Sequence, residues 1–429
     1  MSYNIHEIEY LKDDRVQGFH IDTPAVEHIY SGYTMPLSGW LVGRKIDFKL
    51  LEITIDSSDT SYSIVSFPLS IERADVLEHF QDATIDPLCG FSTRLPILGL
   101  PQDTRLSIVA ITTTEQAIPV AKIRLTRSHL KTGFQPKLQP IIITTIGRTG
   151  STWLMQLLAK HPAIAVVQQH PYETFALEYW LHLVTQQLLT IDQRLTPVDQ
   201  QRFSRDFLSN DNRQSWFNAA YADQVINFCQ KSIENYYLSV AEEQKLASPR
   251  FFAEKIPYFS GKGNTTWRLL SSTVRELYPE AKEIVLVRDF RDMVLSALHF
   301  GVKDRSTDFI EKEKPTAYLN VTKEVAEFSA YYKQNHDRTY LLHYEDLLLN
   351  TTSTLRSLFT SLSLPCSDDI LDLVTQTAPS ADESSSRQHI TSQSTGNSVA
   401  RWKRELSPEL QNKYTNIFKY NLQLFGYDI

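Results

Sequence analysis

An apolar strand that breaks into a short, glycine-bounded, hydroxyl-rich turn and then opens a helix constrains this chain more than any other feature. It is PIIITTIGRTGSTWL, from Pro140 to Leu154. Ile141, Ile142 and Ile143 make the β-branched run of a strand buried on both faces of a parallel sheet. Gly147 and Gly150 let the backbone reverse sharply and come close to a ligand. The helix expected from Ser151 to Lys160 begins with unpaired N–H groups and a partial positive charge aimed at the turn, so a phosphate there is stabilised before any side chain acts. Arg148, Thr149, Ser151 and Thr152 add donors. An ordinary strand-to-helix turn of an α/β protein has the same outline, so the segment needs company before it means a ligand site.

Company comes from a second junction, EIVLVRDFRDMVLSALHF, Glu283 to Phe300. Ile284 to Val287 form the strand and Arg288 stands at its carboxyl end, where open α/β sheets bind ligands. Ser296 follows eight residues later, one to two turns into the next helix, and with Arg288 can clasp a second phosphate. Two cradles imply one ligand with two separated phosphates.

These segments resemble the sulfotransferases that use 3′-phosphoadenosine 5′-phosphosulfate (PAPS). TIGRTGSTWL is similar to their 5′-phosphosulfate loop, and RDFRDMVLS to their 3′-phosphate motif, an Arg followed eight residues on by Ser. FFAEKIPYF, Phe251 to Phe259, resembles the Glu-Lys-(Ser/Thr)-Pro-like strand of the glycosaminoglycan enzymes; HYEDLLLN, His343 to Asn350, resembles the Tyr-Glu-Asp-Leu segment; ARWKREL, Ala400 to Leu406, is the last match. The five keep family order over Pro140 to Ile429. Three positions depart from the pattern. Gly147 stands where a Pro is usual, Thr149 where a Ser is usual, and Thr395, Gly396 and Asn397 replace an Arg-Lys-Gly triplet that contacts the 3′-phosphate in cytosolic members. Arg401 or Ser398 then takes that contact, and Trp402 is assigned to packing.

The resemblance implies a P-loop-like α/β fold, a parallel sheet with helices on both faces, and PAPS as sulfuryl donor to a hydroxyl or amine on a glycan, lipid or small metabolite. It places Arg148 beside the bridging region and 5′-phosphate, and Thr149, Gly150, Ser151 and Thr152 around that phosphate. Trp153 would lie against the adenine, Arg288, Ser296 and Arg401 at the 3′-phosphate, and Lys255 where charge develops on the leaving oxygen. HPYETFALEYW, His170 to Trp180, is similar to the Ser-Glu-Thr-Phe segment whose glutamate is the base in N-sulfotransferases, which maps the base onto Glu173. Each assignment has a plainer rival: Lys255 as a solvated strand-end charge, Trp153 as core, and Glu173 as a helix-capping acid behind Pro171. His170 is the fallback base. No metal is expected, because the donor carries less charge to neutralise than a nucleoside triphosphate. A P-loop kinase or NTPase would also join an apolar strand to a Gly-Thr-Ser turn, but the Gly-Lys-Ser/Thr core is missing. A non-catalytic glycan binder is the third reading.

Composition sets outer bounds. The 429 residues, 42% hydrophobic and 22% charged, suit a soluble globular chain long enough for two domains. A net charge of −7 argues against nucleic acid or an acidic membrane as principal partner. Three separated cysteines, Cys89, Cys229 and Cys366, suggest neither a disulfide framework nor a zinc site. The amino terminus lacks the apolar core of a signal peptide and no run is long enough to span a bilayer, so the expectation is a cytoplasmic enzyme.

Residues 1–130 read as an all-β accessory domain. From about residue 20, short alternating runs such as DFKLLEITID and TRLSIVAIT, separated by turn residues, predict an antiparallel β-sandwich. SGWLVGR, IERADVLEHF and LCGF resemble a small domain attached to some bacterial glycosyltransferases and sulfotransferases; it is either a packing module or a glycan or partner binder, with Tyr33 and Trp40 as sugar-stacking candidates. Residues 131–139 read as a linker and 140–429 as the catalytic domain. Leu177 to Glu243, broken at Pro197, predicts a helical layer shaping the acceptor cleft, and Ser380 to Ser398 a mobile loop.

Overall fold

Alternation of apolar and polar residues builds the amino-terminal sheets. A computed structural model describes residues 1–57, 60–81, 85–192, 221–258, 266–298, 315–376 and 398–429. The strands are β1 (Ser2–Tyr10), β2 (Val16–Thr23), β3 (Ile29–Ser31), β4 (Thr34–Gly43), β5 (Phe48–Ser57), β6 (Thr60–Phe67), β7 (Gly90–Pro96), β8 (Asp103–Thr112) and β9 (Ala117–Arg127). They pair into two antiparallel sheets, β3-β1-β9-β8-β5-β6 and β2-β4-β7. Leu51, Ile53, Leu106, Ile108, Ile123 and Leu125 of the larger sheet share one core with Met35, Leu37, Leu41, Phe91 and Leu95 of the smaller, which makes a sandwich. Burial of each such side chain stabilises by roughly 1.5–3 kcal/mol.

The sandwich begins earlier than residue 20. The charged start of the chain is β1, paired antiparallel with β9 from Tyr3 opposite Arg127 onward. Tyr3 and Ile5 point into the core, while His6, Glu7 and Glu9 stay on the wet side, as in a half-buried strand. Tyr33 is buried, with its hydroxyl donating to Asp223, and Trp40 is half-buried with its ring edge-on to Phe80 at 5.7 Å. Tyr33 therefore presents no face for stacking on a sugar.

Contacts divide the chain into two compact units. The first gathers Met1–Gln135 with Glu178–Ser232 and Arg268–Leu277; the second gathers Pro136–Leu177, Ile233–Trp267 and Tyr278–Ile429. Within the first, Arg127 pairs with Glu276, and Gln230 donates to the Leu277 carbonyl at 2.8 Å. The anticipated helical layer is found as helices Ala176–Asp192 and Tyr221–Glu243. Its break at Pro197 lies outside the described residues, as does the Ser-rich loop from Ser380 up to Ser398.

The second unit is built on a parallel sheet of β10 (Gln139–Ile146), β11 (Ile164–Ala165), β12 (Phe251–Tyr258), β13 (Lys282–Val287) and β14 (Tyr340–His343), in the order β11-β12-β10-β13-β14. Its continuous apolar runs are explained by two covered faces. Ile141, Ile143, Ile284 and Leu286 pack with Leu154 and Leu158 of helix Ser151–Leu158 and with Leu355 and Phe359 of helix Thr351–Ser361. The alternating Ile146, Val285 and Val287 pack instead with Phe290 and Leu295 of helix Phe290–Leu298, Phe328 of helix Pro315–Asn335 and Phe418 of helix Pro408–Leu424. Among the described residues no helix is long and apolar enough to cross a membrane.

Candidate active site

Side chains and backbone donors converge at the carboxyl ends of β10, β12 and β13. After Ile146 the chain turns through Gly147–Gly150 with two residues in left-handed conformation, Arg148 at φ +71° and Gly150 at φ +86°. Gly150 is needed twice over. Its φ disfavours any other residue, and a Cβ there would meet ring atoms of Tyr344 at 2.4 and 2.5 Å. Thr149 is buried, and its hydroxyl donates to the Ile146 carbonyl at 3.0 Å and lies against Thr145 Oγ1. That hydroxyl closes the turn from inside. Ser151 and Thr152 open helix Ser151–Leu158, whose first N–H groups carry the positive end of its dipole.

Lys255 is inside β12, in register with Ile143, and is 2% exposed, so it is no solvated strand-end charge. Its ammonium donates to Thr152 Oγ1 at 3.1 Å and pairs with Glu173 Oε1 at 2.9 Å. Burial pushes the Lys255 ammonium down, the Glu173 carboxylate pulls the other way, and Arg148 adds to the downward push.

The capping reading of Glu173 does not hold. The helix starts at Ala176, and Glu173 sits ahead of it in a segment whose Tyr172 and Phe175 are both left-handed, at φ +66° and +52°. The N–H of Leu177 goes instead to the Glu254 carboxylate, 3.1 Å from either oxygen. His170 is half-buried at the start of the same segment. Trp153 is half-buried and edge-on to Tyr344 with centroids 6.2 Å apart, its buried Nε1 having no hydrogen-bond partner among the described residues.

The second cradle is continuous with the first. Arg288, 5% exposed, donates from Nη1 to the Arg148 carbonyl at 3.2 Å and from Nη2 to the Ser398 carbonyl at 2.7 Å. Its guanidinium lies 4.8 Å from the centre of the Tyr344 ring, and its buried Nε has no partner among the described residues. Ser296 Oγ accepts from Arg148 Nε at 3.2 Å, so the two arginines cross between the cradles. Arg401 is buried and forked onto Glu405 at 2.9 and 2.8 Å. Burial, then the charges of Arg288 and Arg401, push Arg148 down to about 10 from 12.5. The Thr395–Asn397 positions lie outside the described residues.

Tyr344, inside the His343 to Asn350 segment, carries no local signal of a role. The ring touches the turn, Arg288 and Trp153 together, and its hydroxyl meets Ser398 Oγ at 2.9 Å. Behind the site, Asp289 accepts both ends of the Arg291 fork at 2.9 and 2.8 Å and the Trp402 indole N–H at 3.1 Å, with the Arg291 guanidinium 3.7 Å over the Trp402 ring. Trp402 is thus packing, as its segment suggested.

Asp292 accepts the Trp402 backbone N–H at 2.8 Å, and burial lifts its carboxyl from 3.8 to about 6 against the pull of Arg288. The folded chain holds this proton more tightly than the unfolded chain. Its contribution to stability is therefore full below about pH 4 and lost as pH rises through about 6. Asp292→Asn, which keeps the acceptor oxygen, is expected to melt progressively higher than the wild type as pH rises over that window. Parallel melting curves of the two proteins from acid to neutral pH would remove this reading.

Residues 140–368, more than half of the chain, match the sequence model of the Sulfotransferase family. The chain belongs to that family. Among solved structures, this sulfotransferase is similar to the sulfotransferase domain of the olefin synthase of Synechococcus PCC 7002, with 19% identity, 70% of this chain and 100% of that one covered, and a TM-score of 0.39. It is also similar to sulfotransferase STF9 of Mycobacterium avium, with 14% identity, 69% and 79% coverage and a TM-score of 0.35. Mouse sulfotransferase SULT7A1 complexed with PAP is a third, with 13% identity, 68% and 86% coverage and a TM-score of 0.36. No curated protein sequence matches it.

Proposed function

We propose that this sulfotransferase uses PAPS to sulfate a hydroxyl or amine. The observation that carries the reading is a set of donors in which half-buried Arg148 and buried Arg288 lie side by side, with one arginine nitrogen unpartnered among the described residues, next to a Lys255–Glu173 pair. Buried like charges are unfavourable alone and favourable around an anion, so this donor set suits a ligand with two phosphates.

Arg148 and the N–H groups of the turn would hold the 5′-phosphate side. Arg288, Ser296 and Arg401 would hold the 3′-phosphate, and Trp153 the adenine. PAPS supplies the sulfuryl group: the acceptor oxygen or nitrogen bonds to sulfur as the bond from sulfur to the 5′-phosphate oxygen breaks, leaving its electron pair on that oxygen. Glu173 takes the acceptor's proton on its carboxylate, and Lys255 offers positive charge where the leaving oxygen becomes negative. Residues 140–429 would form the catalytic domain, joined by 131–139 to the accessory sandwich of residues 1–130. The acceptor class stays as broad as a glycan, a lipid or a small metabolite.

Calorimetry with adenosine 3′,5′-bisphosphate and with ATP–magnesium tests the donor. The bisphosphate is expected to bind at least about tenfold more tightly; the reverse order would replace this reading with a kinase or NTPase.

A further inference from the structure

The segment that carries Glu173 has a backbone shape that its own residues do not favour. Tyr172 and Phe175, both bulky, flank it in left-handed conformation, and such a shape persists only where the surroundings over-determine it. Glu254, which precedes Lys255 on β12 and is 1% exposed, meets the far end of this segment. Both its oxygens take the N–H of Leu177 at 3.1 Å, and Oε2 takes the hydroxyl of Tyr237 at 2.6 Å. Tyr237 is buried in helix Tyr221–Glu243 with its ring stacked on Phe252, centroids 4.0 Å apart, and its hydroxyl lies 3.3 Å from Thr174 Oγ1.

The chain is thus gripped one residue and four residues past Glu173, while Lys255 grips Glu173 itself at 2.9 Å. Glu254 and Lys255 are consecutive on β12 and pair there with Ile142 and Ile143 of β10, so the two grips are anchored on one stretch of sheet backbone. We propose that Glu254, with Tyr237, is a positioning residue that holds the Thr174–Leu177 backbone so that the Glu173 carboxylate stays on Lys255, where the acceptor's proton is taken. This rests on the reading of Glu173 as the base. It goes further in assigning a carboxylate that touches neither donor nor acceptor a role in the rate. A carboxylate that merely caps a helix would stabilise the fold and leave the chemistry of Glu173 alone.

The test uses Glu254→Gln and Tyr237→Phe in the full chain, each alone and combined with Glu173→Gln. Three quantities are read: the calorimetric affinity for adenosine 3′,5′-bisphosphate, backbone amide exchange over residues 174–177 in the ligand-free protein, and transfer of radiolabel from saturating PAPS to a fixed acceptor extract. Bisphosphate affinity is expected to stay within about twofold and amide exchange to quicken by about tenfold or more, while transfer slows by roughly 10- to 100-fold for Glu254→Gln and less for Tyr237→Phe. In the Glu173→Gln background neither substitution should cost more than about a further twofold. Losses that multiply in the combined variants, or exchange that does not change, overturn the proposal. If Glu173→Gln transfers at the wild-type rate, the base assignment fails by itself, and amide exchange still decides whether Glu254 holds the segment. Should Glu254→Gln not fold, Tyr237→Phe carries the same comparisons, and unchanged exchange and transfer there overturn the proposal.

Discussion

Arg148→Ala is expected to weaken binding of adenosine 3′,5′-bisphosphate by about a hundredfold while leaving the ligand-free protein as stable as the wild type or more so. The two halves of that result have one cause. Without an anion, the Arg148 guanidinium is largely removed from water and faces Arg288 and Arg401, which pushes it down to about 10. A displacement of that size corresponds to an unfavourable term on the order of 3 kcal/mol in the folded state at neutral pH. Loss of its charge-assisted bond to Ser296 Oγ, roughly 1.5–3 kcal/mol, offsets much of the relief. With a phosphate in place the same charge gains a charge-assisted hydrogen bond in a dry pocket, roughly 2–3 kcal/mol, or about a hundredfold in affinity. Calorimetry and a melting curve on one preparation read both. A variant that binds the bisphosphate like the wild type would take Arg148 out of the donor site, and one that melts far lower would make it a structural residue.

Glu173→Gln should slow transfer by roughly 10²- to 10⁴-fold, the range for a positioned general base. The amide keeps the size of the side chain and can still accept a hydrogen bond from Lys255, but it cannot take a proton. Donor affinity should hold or tighten slightly, because the substitution removes a negative charge near an anion site. Lys255 should respond as well. Burial already depresses its ammonium and the Glu173 carboxylate is what opposes that, so the variant's Lys255 is expected to titrate lower still. Transfer within about tenfold of the wild type would remove the base assignment and turn attention to His170, half-buried on the same segment.

Much of the second unit was legible because its sequence signals are local. Ile141–Ile143 and Ile284–Val287 are apolar without interruption, and alternate members of the second run enter cores on opposite sides of the sheet. Gly147 and Gly150 marked the turn, and the eight-residue step from Arg288 to Ser296 brought both to one region. Other features depend on partners far away in sequence. The strand that pairs with β1, β9, lies more than a hundred residues on. Nothing beside Glu173 reveals that the N–H of Leu177 goes to Glu254, 77 residues on.

Sequence alone was sufficient for the sandwich, the parallel sheet, the family and the two basic strand ends, since period, turn residues and motif spacing are properties of short stretches of chain. Tertiary structure alone decided that the cradles are continuous through Arg148 and Ser296, that Tyr344 lies on the turn, and that Lys255 is buried against Glu173. These are contacts between residues some 80 to 200 positions apart, and the charge state and direction of a buried side chain are set by such neighbours rather than by the residues beside it in the chain.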